Sequence, residues 1–383
     1  MEFDFLKPLD IEVFQSINGF TSQQLGSKIV FHTRDQFPNL DKVKIAIVGV
    51  LDNRGNNSAI TAVDLSSIRK QLYNMFPGNW DAPIADLGDI LAGNAITDTY
   101  FALSKVVSSL IKKKVIPVVI GGSQDLTYSL YRAYDDLEQM VNLVAIDSKF
   151  DFGKDDEPLS QESYLTNIIM DEPNNLFNYC NIGYQTYYNS QEEIDLIEKL
   201  FFDAYRLGEI SNTIALAEPV FRDADLVSLD LNSVKSSDSG NFIDFAPNGF
   251  NGKEICSLAR YAGISDKVSL FGLFNHNNSV QESVLAAQII WYFIEGFHYR
   301  SNEYPFGSRE NYLKYIVPIE DEVLIFYKSD KTERWWIEIP FVSNGNNKLK
   351  RNTLLPCSYE EYLGACNQEM PERWWKALRK NIL

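Results

Sequence analysis

Five short apolar runs set the limits on this chain: "KVKIAIVGV" (42–50), "VIPVVIGG" (115–122), "VNLVAID" (141–147), "ADLVSLDLN" (224–232) and "KVSLFGLFN" (267–275). Each is nearly continuous in β-branched residues and leucine, which is the pattern of a strand covered on both faces. Helical patterns lie around them at 62–76, 96–114, 124–138, 191–201, 252–263 and 279–297, with a further strand at 178–184. Doubly covered strands separated by helices predict an α/β fold of three layers, αβα, around a doubly wound, mainly parallel sheet. Ligands of such sheets bind beyond the carboxyl ends of the strands. "IGGSQD", "AIDSKFD" and "SLDLNS" all fall at such ends, so three distant segments are expected to meet in one crevice.

The pattern changes near residue 300. Residues 1–40 read as a lead-in, 41–300 as the α/β domain, and 301–383 as a C-terminal β-hairpin and helix extension packed on it. Within the extension, 312–341 reads as two strands joined by a charged turn. Ser358 and Glu361 stand in capping-box spacing and start a helix, which Pro371 is expected to divide. Trp335, Trp336, Trp374 and Trp375 make this region aromatic-rich. They either pack the extension onto the main domain or form a protein-docking surface, since aromatic residues are favoured interface anchors.

The 35 basic residues are outnumbered by 52 acidic ones, a formal charge of −17, which argues against nucleic acid or an anionic membrane as partner. No apolar run reaches the roughly 18 residues of a membrane span, and the first residues lack a basic stretch followed by an apolar one. Cys180, Cys256, Cys357 and Cys366 are widely spaced, without a CxxC pair, and read as buried free thiols in a reducing compartment. A cytoplasmic location is expected.

In order and in setting, "GGSQD", "DSKFD" and "SLDLN" resemble the GGDHS, DAHxD and SxDxD segments of the ureohydrolase family of arginase, agmatinase and formimidoylglutamase. "NIGYQ" after the fifth strand, "NGFNGKE", and the last helix "LAAQIIWYFIEGF" extend the likeness over about residues 40–298 and place it closest to the formimidoylglutamase branch. The resemblance implies an arginase-like fold, a crevice holding two manganese ions, and a bridging hydroxide that attacks a guanidinium or formimino carbon.

At the positions that carry those ions, the chain departs from the family. Gln124 stands at the first histidine position and Lys149 at the second. Asn232 replaces a carboxylate, while Asp147, Asp151 and Asp230 remain. Asp125 is displaced by one position and is expected to point elsewhere. None of the three histidines, His32, His276 and His298, falls at a ligand position; His276 follows a strand at the crevice end, while His32 and His298 read as surface or capping residues. The family's histidine-bearing segment reads here as "PLSQESYL" (158–165), and Asn275 takes the place of an acidic residue.

Lysine offers three donors and a fixed positive charge, so Lys149 is expected to serve as structural counter-ion to the three aspartates. Without metal, no water in the pocket acquires a pKa low enough to act as a neutral-pH nucleophile. The expected role is therefore that of a catalytically inactive relative, with no cofactor, acting as a binding or scaffold subunit for a protein partner, with a homo-oligomer also open. One alternative is a single-metal amidinohydrolase using Asp147, Asp151 and Asp230. Another is a sensor of a guanidino or amino-acid ligand contacted by Glu254.

Overall fold

The computed structural model describes residues 3–10, 19–56, 63–79, 83–137, 139–154, 157–303, 310–320, 322–340 and 354–382. Parts of the lead-in (11–18), the first residue of the helix expected at 62–76, the last of that expected at 124–138, and 341–353 of the extension lie outside these.

Among the described residues, fourteen strands form two sheets. The first contains β1 (Leu6–Lys7), β2 (Val30–Phe31), β3 (Ile45–Leu51), β4 (Ile84–Leu91), β5 (Ile116–Gly121), β6 (Val141–Ile146), β7 (Leu176–Tyr184), β8 (Asp203–Arg206), β9 (Leu226–Asp230) and β10 (Leu270–Phe274). Its order is β1-β4-β3-β5-β10-β9-β6-β7-β8, with β2 also on β4, and every pairing is parallel except β1 with β4. The lead-in is thus part of the sheet, through β1 and β2.

Alternate residues of each strand feed two separate cores, because strand side chains alternate between faces. Ile45, Ile47, Val118, Ile120, Val144 and Ile146 join the first, with helices Ser66–Asn74, Gly252–Ile264 and Val280–His298. Ala46, Val48, Val119, Leu143 and Ala145 join the second, with helices Ile96–Lys112, Leu126–Arg132 and Tyr164–Met170. This is the expected three-layer αβα arrangement. Helices Gly252–Ile264 and Val280–His298 approach so closely that a Cβ on Gly263 would lie 2.2 Å from the Phe293 carbonyl oxygen.

The second sheet is antiparallel: β11 (Tyr312–Ile319), β12 (Glu322–Ser329), β13 (Trp335–Glu338) and β14 (Leu354–Cys357), in that order. Residues 312–341 therefore hold three strands rather than the two expected. The chain turns a second time between Ser329 and Trp335, where the Arg334 carbonyl accepts from Ser329 N–H at 2.9 Å. Ser358 and Glu361 do form a capping box, and Tyr359–Cys366 and Glu372–Ile382 are separate helices around Pro371. Trp335, Trp336 and Trp374 are buried, and only Trp375 is exposed. Arg222 of the main domain donates to the carbonyls of Trp335 (3.0 Å) and Cys357 (2.7 Å) and lies over the Trp336 ring. Three of the four tryptophans thus pack the extension inward and are not a docking surface. Cys180, Cys256 and Cys357 are buried free thiols and Cys366 is an exposed one. No helix among the described residues is long and apolar enough to cross a membrane.

Candidate functional site

Strands β5, β10, β9 and β6 are consecutive neighbours, and all four end on the same edge. Gln124 follows β5, Asn275 follows β10, Asp230 closes β9 and Asp147 follows β6. Parallel pairing with small register shifts is what brings these distant residues together. Asn275 N–H extends the ladder to the Gly122 carbonyl at 2.8 Å, and Asp147 N–H to Ile182 at 3.1 Å. Asp151 and Asn275 adopt left-handed backbone conformations (φ 58° and 62°), which Asp and Asn tolerate better than most residues. A cavity of about 440 Å³ opens here, and Gln124, Asp147, Lys149, Asp151, Asp230 and Asn232 all line it. The six positions singled out in the sequence therefore do converge.

Their interactions differ from expectation at one decisive place. The Lys149 ammonium does not sit among the aspartates. It pairs with Glu162 at 3.1 Å, and the two side chains are 44% and 53% exposed. Burial opposes its charge, but the bond to Glu162, followed by the fields of Glu162, Asp151 and Asp147, raises its pKa. The counter-ion role assigned to Lys149 is corrected accordingly: a long, strongly hydrated ammonium finds a carboxylate at the wet rim and avoids desolvation.

The aspartates are instead held by amides. Asp147 Oδ1 accepts from Lys149 N–H at 2.9 Å. Asp230 Oδ1 accepts from Asn232 N–H at 2.8 Å and from the Asn275 side-chain amide at 2.9 Å. All three carboxyls are nearly inaccessible, at 1% for Asp147, 7% for Asp151 and 6% for Asp230. Burial drives Asp151 well above the usual carboxylate range, with repulsion from Asp147 and Asp230 adding to it. Burial and Asp147 do the same to Asp230. Burial raises Asp147 too, against the Lys149 backbone N–H, the Gln124 amide and the Asp151 carboxyl, which bond to it and lower it.

Gln124 donates to the Tyr164 hydroxyl at 3.3 Å, and Asn232 Oδ1 accepts from Asn241 at 3.2 Å. Asp125 points away, as expected, and accepts from Tyr100 OH at 2.5 Å; burial pushes its carboxyl up to about 6. Glu254 does not line the cavity. Its carboxylate accepts from Asn251 N–H at 2.9 Å and caps helix Gly252–Ile264, so its role as ligand contact is corrected: the residue is spent on orphan N–H groups at a helix start. His276 is buried, with Nε2 on Ser283 Oγ at 3.0 Å and Nδ1 accepting from Asn278 N–H, and burial drops it to about 4. His298 ends its helix, while His32 is half-buried with Nδ1 on the Leu87 carbonyl at 2.9 Å. Sequence reasoning missed Asn56, Gln161 and Glu162, which also line the cavity. Glu162 lies in the segment flagged for its missing histidine; Asn56 follows β3 and carries no local signal.

Among the described residues, no group of three or more His, Cys, Asp or Glu side chains is disposed to hold a metal ion.

The sequence matches the arginase family over residues 44–293. It is similar to the formimidoylglutamase of Lysinibacillus sphaericus, at 26% identity over 169 residues, spanning 42% of this chain and about half, 52%, of that protein. It is also similar to the formimidoylglutamase of a Geobacillus species, at 26% identity over 278 residues, with 66% of this chain and 81% of that one covered. In fold it is similar to the formiminoglutamase of Trypanosoma cruzi solved with manganese, with a TM-score of 0.63 at 19% identity over 69% of this chain and 97% of that one.

Proposed function

The chain belongs to the arginase family, and from that premise we propose that it has given up metal-dependent hydrolysis and serves as a binding subunit built on the family's fold. The observation that carries this reading is the donor set at the strand ends. Neither histidine position holds a histidine, Asn232 is committed to Asn241, and Lys149 is turned to Glu162. Three aspartates remain for two manganese ions, and no histidine stands beside them to complete either ion's shell. The residues present do not fit a two-manganese centre, so no hydroxide-generating step is derived for this chain.

The test is metal analysis and turnover on protein purified with manganese. The expected result is sub-stoichiometric metal and no release of formamide, urea or ammonia from formiminoglutamate, arginine or agmatine. Stoichiometric manganese with turnover on any of the three refutes the proposal.

One observation favours a second reading, a single-metal amidinohydrolase: Asp147, Asp151 and Asp230 line one cavity closely enough that their charges repel, as the ligands of one cation would. The same experiment separates the two. The net charge of −17 supports a protein partner over nucleic acid or an anionic membrane, and the same reading has the protein in the cytoplasm, with self-association open.

A further inference from the structure

A second cavity, of about 570 Å³, lies at the opposite edge of the sheet from the crevice. Strands β3, β5 and β10 are adjacent and parallel, so their starts share one edge as their ends share the other. Lys44 directly precedes β3, Lys114 and Val115 precede β5, Val268 and Ser269 precede β10, and all of them line the cavity. The six residues of β5 put roughly 20 Å between the two sites. Among the described residues the lining holds four lysines and arginines, Lys44, Lys114, Lys267 and Arg300, against one carboxylate, Asp266. That balance is the reverse of a chain whose formal charge is −17. Lys267 is neutralised by Asp223 and Asp225, each at 3.2 Å. The Lys44 and Lys114 ammonium groups form no ion pair among the described residues. Arg300 is fixed by Nε–H on the Gly263 carbonyl at 2.9 Å, by Nη2 on the Val268 carbonyl at 2.8 Å and by its place over the Phe297 ring. Its Nη1 stays free to donate. Lys114 also adopts a left-handed backbone (φ 59°) at the end of helix Ile96–Lys112, where its N–H donates to the Ile111 carbonyl at 2.8 Å and Val115 N–H to Leu110 at 3.0 Å. Glycine is favoured at that position because a Cβ is strained there. The helix dipole favours a cation at this end, but that accounts for Lys114 alone and not for Lys44 or the free Arg300 nitrogen.

We infer that this second cavity binds a small organic phosphate, with the phosphoryl group on Lys44, Lys114 and Arg300 and the organic body against Phe297 and Ile111. Asp266 is held by Ser301 Oγ at 3.1 Å and by the N–H groups of Asn302 and Glu303 at 2.9 Å, so its carboxylate is spent on a neighbouring loop. Three cations against that one carboxylate leave two positive charges, and a phosphate monoester carries about −1.5 to −2 at neutral pH. A carboxylate or a sulfate ester, with a single charge, meets only half of the balance. Lysines serve phosphate as point charges, and a fixed guanidinium adds directed donors. Phe297 and Ile111 are half-buried and line the cavity, which suits an organic body better than a bare ion. Its volume of about 570 Å³ is in the range of small-molecule pockets. Salt screens charges beyond roughly 8 Å, so the cations lining the cavity set its field rather than the acidic surface further away. A nucleic acid would have to lie along that acidic surface, which confines the ligand to a small molecule. The inference stands apart from the crevice, whether or not metal binds there.

The experiment is isothermal titration calorimetry on the full chain in a phosphate-free buffer of low ionic strength near pH 8, where a phosphate monoester is a dianion. Phenyl phosphate and phenyl sulfate are the probes, since they share a ring and differ in charge. Saturable binding of phenyl phosphate is expected, with phenyl sulfate weaker by about five-fold or more. Lys114→Gly gives the left-handed position the residue it favours, so the variant keeps the parent's thermal midpoint within a few degrees while phenyl phosphate weakens by about five- to ten-fold. Adding Lys44→Gln to it removes saturable binding. Lys112→Gln takes the same charge from the same helix end, but from a lysine already 3.5 Å from Asp136, and leaves the affinity within about three-fold. No binding by the parent, unchanged binding by the folded double variant, or equal affinity for the two probes overturns the inference. A loss with Lys112→Gln as large as with Lys114→Gly also overturns it, because binding would then follow overall charge and not this cavity.

Discussion

Glu282 sits in the first turn of helix Val280–His298, fully buried, and accepts from Asn277 N–H at 2.5 Å. Burial pushes its carboxyl from 4.5 up to about 7, Asn277 pulls it down, and Asp244 raises it further. The folded state thus holds this proton more tightly than the unfolded chain does. The associated stability is fully present below pH 4.5 and is lost as pH rises through about 7. Glu282→Gln, neutral throughout, is expected to be more stable than the parent at pH 8 by up to roughly 3 kcal/mol, and equal to it near pH 4. Urea midpoints at the two pH values measure this, and a pH-independent difference would show that charge is not the cause. His276, depressed to about 4 by burial, lies 3.9 Å from Glu282 and is neutral at pH 8. Lys149 teaches the complementary lesson at this scale. Its position at a strand end was legible from "DSKFD", but the direction of its side chain was not, because Glu162 comes from a separate segment and offers a wetter partner than the buried aspartates. Glu254 was misread for a different reason: "NGKE" spells a capping box in which Asn251 and Glu254 satisfy one another, and a local signal outweighed the family correspondence.

Among the elements, the near-continuous apolar runs were readable because doubly covered strands leave little doubt about burial. The strand β4, Ile84–Leu91, was missed: "IADLGDIL" carries three polar or glycine breaks, and its buried Asp86 is partnered by Arg69 and Tyr73 from helix Ser66–Asn74. Strand β8 was missed for its brevity, four residues at the sheet edge. Helix pairing depends on small residues that periodicity does not flag. Gly263 and Gly296 let two helices touch, since a Cβ on Gly296 would lie 2.4 Å from the Arg260 carbonyl oxygen. Gly263→Ala is expected to destabilise the protein by about 1–3 kcal/mol through overpacking, despite alanine's better helix propensity. A chemical-denaturation midpoint equal to or above that of the parent would show that the helices can separate without cost.

Across the whole molecule, the extension has its own core, including Ile319, Leu324, Phe326, Ile337 and Trp374, and polar and ring contacts tie it to the main domain. Arg222 is the central tie, and Lys376 adds a bond to the Phe202 carbonyl at 3.1 Å. Arg222→Leu leaves two buried carbonyls unsatisfied and is expected to cost about 2–5 kcal/mol. Limited proteolysis should then cut within 301–383 well before the main domain, and an unchanged cleavage pattern would mean the tie is dispensable. Sequence by itself determined the layer architecture, the edge of the sheet that carries the crevice, and which residue types stand at its metal positions, because burial periodicity and strand ends are local properties of the chain. Only the tertiary structure decided where each charge is spent. Ammonium and carboxylate partners are chosen by distance and desolvation among segments far apart in sequence, and those terms exist only once the strands are side by side.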